Sequence, residues 1–275
     1  MLADRDLRRV AAFIGSVAGI QLPPSKRSLV EGRLGKRVRR LGFDDFRQYL
    51  NYALDSPEGI GERIHLVDAI TTNKTSFFRE PDHFRYLMEQ VLPALERARG
   101  HAGRWELVIW SAGCSSGEEA YTLAMVLSEA AEHYAGLRFG ILATDISERM
   151  LASARRAIYP EERLAPVPMT LRRKYWLRSR DPRDGLVRSG PELRERVRFG
   201  RLNLMAQDFG LKRRIDVIFC RNVMIYFNNQ HRAALVRRFA EQLVPGGYLF
   251  IGHSESLSGL DTGLKQQSAA VYRKP

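Results

Sequence analysis

The residues of this 275-residue chain best placed for chemistry stand just past its short apolar runs. Residues 107–110 lead into a small-residue turn, 111–117, and then into Glu118 and Glu119; residues 139–144 end in Asp145; 197–202 meet Asn203; and 215–220 precede Asn222. A carboxylate there accepts hydrogen bonds from hydroxyls or an amine, and an asparagine offers both a donor and an acceptor. Singly, each asparagine is better explained as a turn or cap residue; it is the set that reverses the balance. Four polar tips on four strand ends describe one crevice. Sets for other chemistries are missing: Cys114 and Cys220 form no CxxC pair, and none of the six histidines has a partner at ligand spacing, so no metal centre is expected. His253, in the run IGHSES, reads as a strand-end residue.

Apolar runs this short, with polar flanks, are what a parallel strand shows when both faces are covered. The turn at 111–117, with two glycines and two serines, lets backbone pass close to a ligand with N–H groups aimed at it. One helix and one return fit between Gly117 and Asp145, the acidic tip that ribose-binding α/β folds place on their second strand. The expected fold class is therefore α/β, a Rossmann-like sheet. Further strands are expected at 248–252, entered from Pro245-Gly246-Gly247 after a helix over 229–243, and at a final edge, 268–274. Residues 153–196 are too long for a simple crossover. Strands at 174–178 and 185–188, flanking the turn Asp181-Pro182-Arg183-Asp184, make them a small inserted β-subdomain. Ahead of the sheet, helices are expected over 5–18, 25–41, 43–54 and 58–69, and another over 82–99. The division is an all-helical N-terminal domain, 1–80, and an α/β domain, 81–275.

The runs TTNKTSFFRE (71–80), WSAGCSSGEEAYTLAM (110–125), ATDIS (143–147), NLM (203–205) and CRNVMIYF (220–227) together resemble the CheR family of methyltransferases that act on bacterial chemoreceptors. The resemblance covers nearly the whole chain, and its GxxxG turn departs from the GxGxG of most methyltransferases. It implies S-adenosylmethionine as cofactor and S-adenosylhomocysteine as product. It implies that Asn73, Thr75 and Arg79 hold the methionine part, with Arg79 on its carboxylate, that Glu118 and Asp145 contact amino or ribose groups, and that Asn203, Leu204, Asn222 and Val223 contact adenosine. Glutamyl methyl ester formation on the cytoplasmic domain of the receptors is the implied activity. A carboxylate with an ordinary pKa of about 4.3 is already ionised at neutral pH, so no general base is needed and no residue is assigned to the transfer itself.

The net charge of +13 sits in two places: residues 1–50 carry a surplus of 6 and residues 171–201 a surplus of 7. Both suit an acidic partner, whether protein, nucleic acid or anionic membrane, or are plain solvated surface. In the second helix Val30, Leu34, Val38 and Leu41 share one face and Arg33, Lys36, Arg37 and Arg40 the other. The resemblance turns that cationic side toward the receptor, and it gives the β-subdomain a tethering role for a receptor C-terminal tail peptide, taken up as an added strand. A nucleic-acid methyltransferase is the rival, but Arg221-Asn222-Val223-Met224 is not the Asn/Asp-Pro-Pro-aromatic motif of amino-methylating enzymes, and Cys220 lacks the proline often beside a cytosine C5 nucleophile. A cofactor-binding adaptor without turnover is the other alternative. With no membrane-length apolar run or cleavage signal, the expected location is cytoplasmic, without membrane insertion.

Overall fold

The structure, a computed structural model, describes residues 1–99 and 105–275. The helical domain packs α1 (Asp4–Ala18), α2 (Arg27–Arg40), α3 (Phe46–Leu50) and α4 (Glu62–Ile70) around Leu7, Val10, Ile14, Val30, Leu34, Val38, Tyr49 and Leu66. The i, i+3, i+4 spacing of these side chains is what lets each helix bury one stripe. Asp45 caps α3 by accepting the Gln48 N–H at 2.8 Å, which starts the helix three residues later than the hydrophobic pattern suggests. Leu41, expected on the buried face of α2, lies beyond its end and is exposed.

Residues 82–99 form one helical run, α5 (Asp82–Tyr86) and α6 (Leu92–Arg99) joined by a π-helical turn. The sheet follows: β1 (Trp105–Ala112), α7 (Glu118–His133), β2 (Leu137–Asp145), α8 (Glu148–Arg156), the insertion, β6 (Val197–Arg201), β7 (Ile215–Cys220), α11 (Asn229–Gln242), β8 (Leu243–Ile251) and the hairpin β9 (Lys265–Ser268) and β10 (Val271–Arg273). The insertion holds β3 (Ile158–Pro160), α9 (Met169–Tyr175), β4 (Trp176–Arg178), β5 (Leu186–Ser189) and α10 (Pro191–Arg194).

The seven-stranded sheet runs β6-β2-β1-β7-β8-β10-β9, parallel up to β8 and antiparallel thereafter. Its order reverses between β1 and β7, which pair through Ile109 with Val217 and Ser111 with Phe219. A crevice opens outside the strand ends at such a point. All six residues of β7 are buried, with α7 and the insertion on one face and α11 on the other.

Three expectations are corrected. Pro245-Gly246-Gly247 is not a turn before a strand but part of β8, because the Gly246 N–H is donated to Lys274 O and the Lys274 N–H to Gly247 O. The final edge is a hairpin, Lys265–Ser268 and Val271–Arg273, turning at Ala270, so the strand expected over 268–274 is only its second arm and β9 is the outer one. In the insertion, Lys174 and Tyr175 end a helix rather than start a strand, and a third strand, β3, completes the order β3-β5-β4.

Candidate active site

A cavity of roughly 910 Å³, counting its open mouth, lies at the switch point. Its wall is Gly113 and Ser115 after β1, Asp145 at the tip of β2, Asn203 and Leu204 after β6, and Asn222 and Val223 after β7. Asn73, Lys74, Thr75 and Arg79 line it from the segment before α5, and Ala18 and Ile20 from the end of α1. Eight of the nine residues proposed for the cofactor thus meet at one cavity. Glu118 does not. It is fully buried behind the turn, accepts the Ser116 hydroxyl at 2.7 Å and pairs with Arg163 Nη2 at 2.5 Å, in an ion contact whose angles fall short of a hydrogen bond. Its neighbour Glu119 faces the cavity instead.

Four N–H groups of the turn are already taken within the protein. Those of Gly113 and Cys114 are donated to Thr144 O, that of Gly117 to Cys114 O, and that of Ser115 to Asp145 Oδ2 at 2.8 Å. A phosphate cradle needs such donors free; this turn suits a ligand without phosphate. Asp145 also accepts the Ser147 N–H, at 2.9 Å. Burial pushes its carboxyl up, against the pull of those two N–H groups. Gly113 adopts a left-handed φ of 86°, and a Cβ there would come within 2.6 Å of Val223 Cγ2, so backbone alone can form that part of the wall.

Two residues that strand-tip reasoning passed over organise the floor. The side chain of Arg221, at the end of β7, is only 2% exposed. Its Nε donates to Glu119 Oε2 at 2.7 Å and its Nη1 to Arg79 O at 2.7 Å, while Phe84 and Phe219 cover its guanidinium. Glu119 is completed by the Ser111 hydroxyl at 2.6 Å. Asn222, at a left-handed φ of 59°, donates its amide to Glu80 Oε1, and its backbone N–H goes to Glu255 at 2.9 Å. Glu255 also accepts the Gly252 and Ile225 N–H groups, which fixes the loop after β7 against the end of β8. Burial pushes the Glu255 carboxyl up as well. Asn222 Oδ1 is buried with no partner, an unsatisfied acceptor on a residue that lines the cavity. Tyr226 and Phe227, quoted within a motif but not singled out, complete the rim.

Glu80, His83 and His253 bring ligand-type atoms within 4.8 Å of one another. Arg221 Nη1, 3.2 Å from His83 Nδ1 and 3.4 Å from Glu80 Oε2, already supplies a cation there. Burial, aided by Arg221, pushes the His83 imidazole down to about 3, so the ring is neutral. Burial pushes the Cys114 and Cys220 thiols well up, which removes any thiolate nucleophile from this crevice.

Residues 73–273 match the family model described as the SAM-binding domain of CheR methyltransferases, and residues 5–71 match their all-alpha domain. The chain belongs to the CheR methyltransferase family. It is 40% identical to a chemotaxis protein methyltransferase of Borreliella burgdorferi, over 98% of this chain and 94% of that one. To the Escherichia coli protein of the same description it is 39% identical, over 98% and 91%. Chemotaxis protein methyltransferase 2 of Pseudomonas aeruginosa is 39% identical over 97% and 92%. S-adenosylmethionine is therefore the cofactor of this domain, and the orphan acceptor of Asn222, the glycine wall and the phosphate-free turn fit it. The two family models meet around Thr72, and Phe77, just past that point, is buried in the cluster that the α/β sheet builds. No helix among the described residues is long and apolar enough to cross a membrane.

The cationic face of α2 is not uniform. Arg37 forms a two-pronged pair with Glu62, at 2.8 and 2.5 Å, inside the helical domain, and Arg33 Nη1 donates to Ile70 O at 2.6 Å and Thr71 O at 3.1 Å. Both are engaged in holding α2 to α4. Lys36 and Arg40 are exposed, as is Arg39 beside them.

Proposed function

We propose that this protein transfers the methyl group of S-adenosylmethionine to glutamate side chains of chemoreceptors, forming glutamyl methyl esters. The observation that carries the reading is a cavity assembled from four strand tips and the segment from Asn73 to Arg79, where among the described residues no histidine, thiolate or paired acid is arranged as a base. An ionised glutamate needs none. When bound, the cofactor supplies an electrophilic methyl group on a sulfonium. The protein's part is to hold both reactants in line and exclude water. In this reading Asn73, Thr75 and Arg79 hold the methionine portion. Glu119 takes over from Glu118 and acts with Asp145 on amino and ribose groups, while Asn203, Leu204, Asn222 and Val223 enclose the adenosine.

Recognition of the acidic receptor falls to the exposed part of α2, Lys36 and Arg40, with Arg33 and Arg37 keeping that helix in place. A receptor tail peptide would add to the β-subdomain. Its small sheet has β3 and β4 as outer strands, Ile158, Leu177 and Met169 expose apolar surface, and Arg172, Arg173 and Arg178 stand round a groove beside Trp176.

The product gives the test. A carboxylic ester is open to hydroxide, whereas methyl groups on ring nitrogens, exocyclic amines, C5 of cytosine or ribose oxygens are not. Label transferred from S-adenosylmethionine with receptor-containing membranes should survive nuclease and leave as volatile methanol in mild alkali. Alkali-stable or nuclease-sensitive label would refute the assignment.

A further inference from the structure

The cofactor segment from Asn73 to Arg79 belongs to no helix or strand, so single contacts hold its backbone in place. The Ser115 hydroxyl donates to Asn73 O at 3.1 Å, Arg79 Nη1 to Lys74 O at 3.0 Å, and Arg221 Nη1 to Arg79 O. The carbonyl of Thr75 is met from outside the sheet. Arg163, in the turn Glu161–Leu164 of the β-subdomain, donates Nη2 to Thr75 O at 3.0 Å. The same nitrogen lies 2.5 Å from Glu118 Oε1.

We propose that Arg163 is a positioning residue through which the buried carboxylate of Glu118 and the β-subdomain set the place of Thr75 in the cofactor cavity. The inference rests on the cofactor reading above and extends it to a residue that does not line the cavity.

The direction of control follows from burial. Glu118 is fully buried and the Arg163 side chain 39% exposed. A buried carboxylate stripped of its counter-ion is strongly destabilising, so Glu118 keeps the guanidinium at that spot, and the guanidinium fixes Thr75. The surrounding contacts give this arrangement little slack. Tyr159 of β3 donates its hydroxyl to Ser116 O at 2.7 Å, Ser116 in turn donates to Glu118 Oε2, and the Phe77 ring stands edge-on to Tyr159 and Trp176 at 5.2 and 5.1 Å. One guanidinium nitrogen, Nη2, stands between both acceptors and is held in direction by its rigid planar group, whereas an ammonium is a compact point charge on a flexible stem that does not fix one place.

That difference provides the experiment. Binding of S-adenosylhomocysteine is measured by calorimetry, alongside thermal unfolding and steady-state methylation of receptor membranes, for the wild type, Arg163→Lys, Arg163→Gln and the double variant Arg163→Gln/Glu118→Gln. The last neutralises the carboxylate and guards against simple misfolding. Arg163→Lys should unfold near the wild-type temperature yet bind about tenfold more weakly, in keeping with loss of a charge-assisted hydrogen bond. The double variant should bind as weakly. Both should show a raised KM for S-adenosylmethionine, with the KM for receptor and kcat at saturation within about twofold, since a residue acting on cofactor placement leaves the acceptor site alone. Wild-type affinity in any folded variant lacking the Arg163 guanidinium would overturn the proposal, even if its stability had fallen. A wild-type protein that bound no S-adenosylhomocysteine would remove the cofactor reading itself, and this inference with it.

Discussion

Gly113→Ala is the substitution whose cost can be worked out most directly. The residue is locked at φ 86° by its N–H, donated to Thr144 O at 2.8 Å, and an added Cβ would lie 2.6 Å from Val223 Cγ2. An L side chain held in the left-handed region costs about 1–2 kcal/mol, and a methyl forced into filled space adds about 1–3 kcal/mol. A loss of about 2–5 kcal/mol is therefore expected, at about 2–4 °C of melting temperature per kcal/mol for a chain near this size. The two contributions separate in a double-mutant cycle. Val223→Ala removes the offending methyl but leaves the strained backbone, so the double variant should be more stable than the sum of the singles by about 1 kcal/mol or more. Urea unfolding gives the cycle, and calorimetry with S-adenosylhomocysteine shows whether the displaced wall weakens binding, as it should where Gly113 and Val223 face the same ligand. A single variant within about 0.5 kcal/mol of the wild type, or an additive cycle, would refute the steric account of this wall.

Two further expectations concern charge. The folded pKa of His83, about 3, lies below the ordinary value of 6.5, so the unfolded chain takes up a proton that the folded chain refuses, and stability is lost as pH falls through that window. Between pH 7 and 5 the contribution is about 2 kcal/mol; His83→Asn should lose that much less than the wild type when urea unfolding is compared at the two pH values. On α2, Lys36→Glu with Arg40→Glu should slow receptor methylation, leave S-adenosylhomocysteine affinity intact and reduce the salt sensitivity of the rate. Arg37→Glu, by contrast, faces Glu62 with a like charge and should lower the melting temperature of the helical domain.

What could be read from the sequence, and what could not, divides along physical lines. Asp145, Asn203 and Asn222 were legible because a buried strand announces its end by a change from apolar to polar, and the α/β topology gathers such ends into one crevice; Leu204 and Val223, apolar themselves, came only with the family resemblance. Choosing Glu118 over Glu119 was a matter of helix phase. Adjacent helical residues point about 100° apart, and the phase of α7 is set by the turn before it. Arg221 reads as ordinary punctuation after β7; its importance depends on Glu119 of α7 and on Glu80 and Phe84, just before and within α5, which reach it from two other segments. A helical wheel sorts α2 into apolar and cationic faces, but the partners of Arg33 and Arg37 lie on α4 and just beyond it, so a face that looks solvated is partly an internal seam. The strand Ile158–Pro160 is too short to show a period, and the glycines of β8 imitate a turn because their partner, Lys274, is almost 30 residues away.

The end of α1 forms part of the cofactor cavity, and two bonds sew it there: Asn203 Nδ2 donates to Val17 O at 2.6 Å, and the Gln21 N–H to Tyr226 O at 3.0 Å. The boundary between the two family models is therefore not a joint at which the halves of this chain can be exchanged. A chimera with a foreign helical half would carry a different cavity wall, and its affinity for the cofactor would shift although every strand-tip residue was kept. Reciprocity of coupled equilibria adds the converse: a receptor that moves α1 on docking is felt by the cofactor, and cofactor loading alters the grip on that receptor by the same factor.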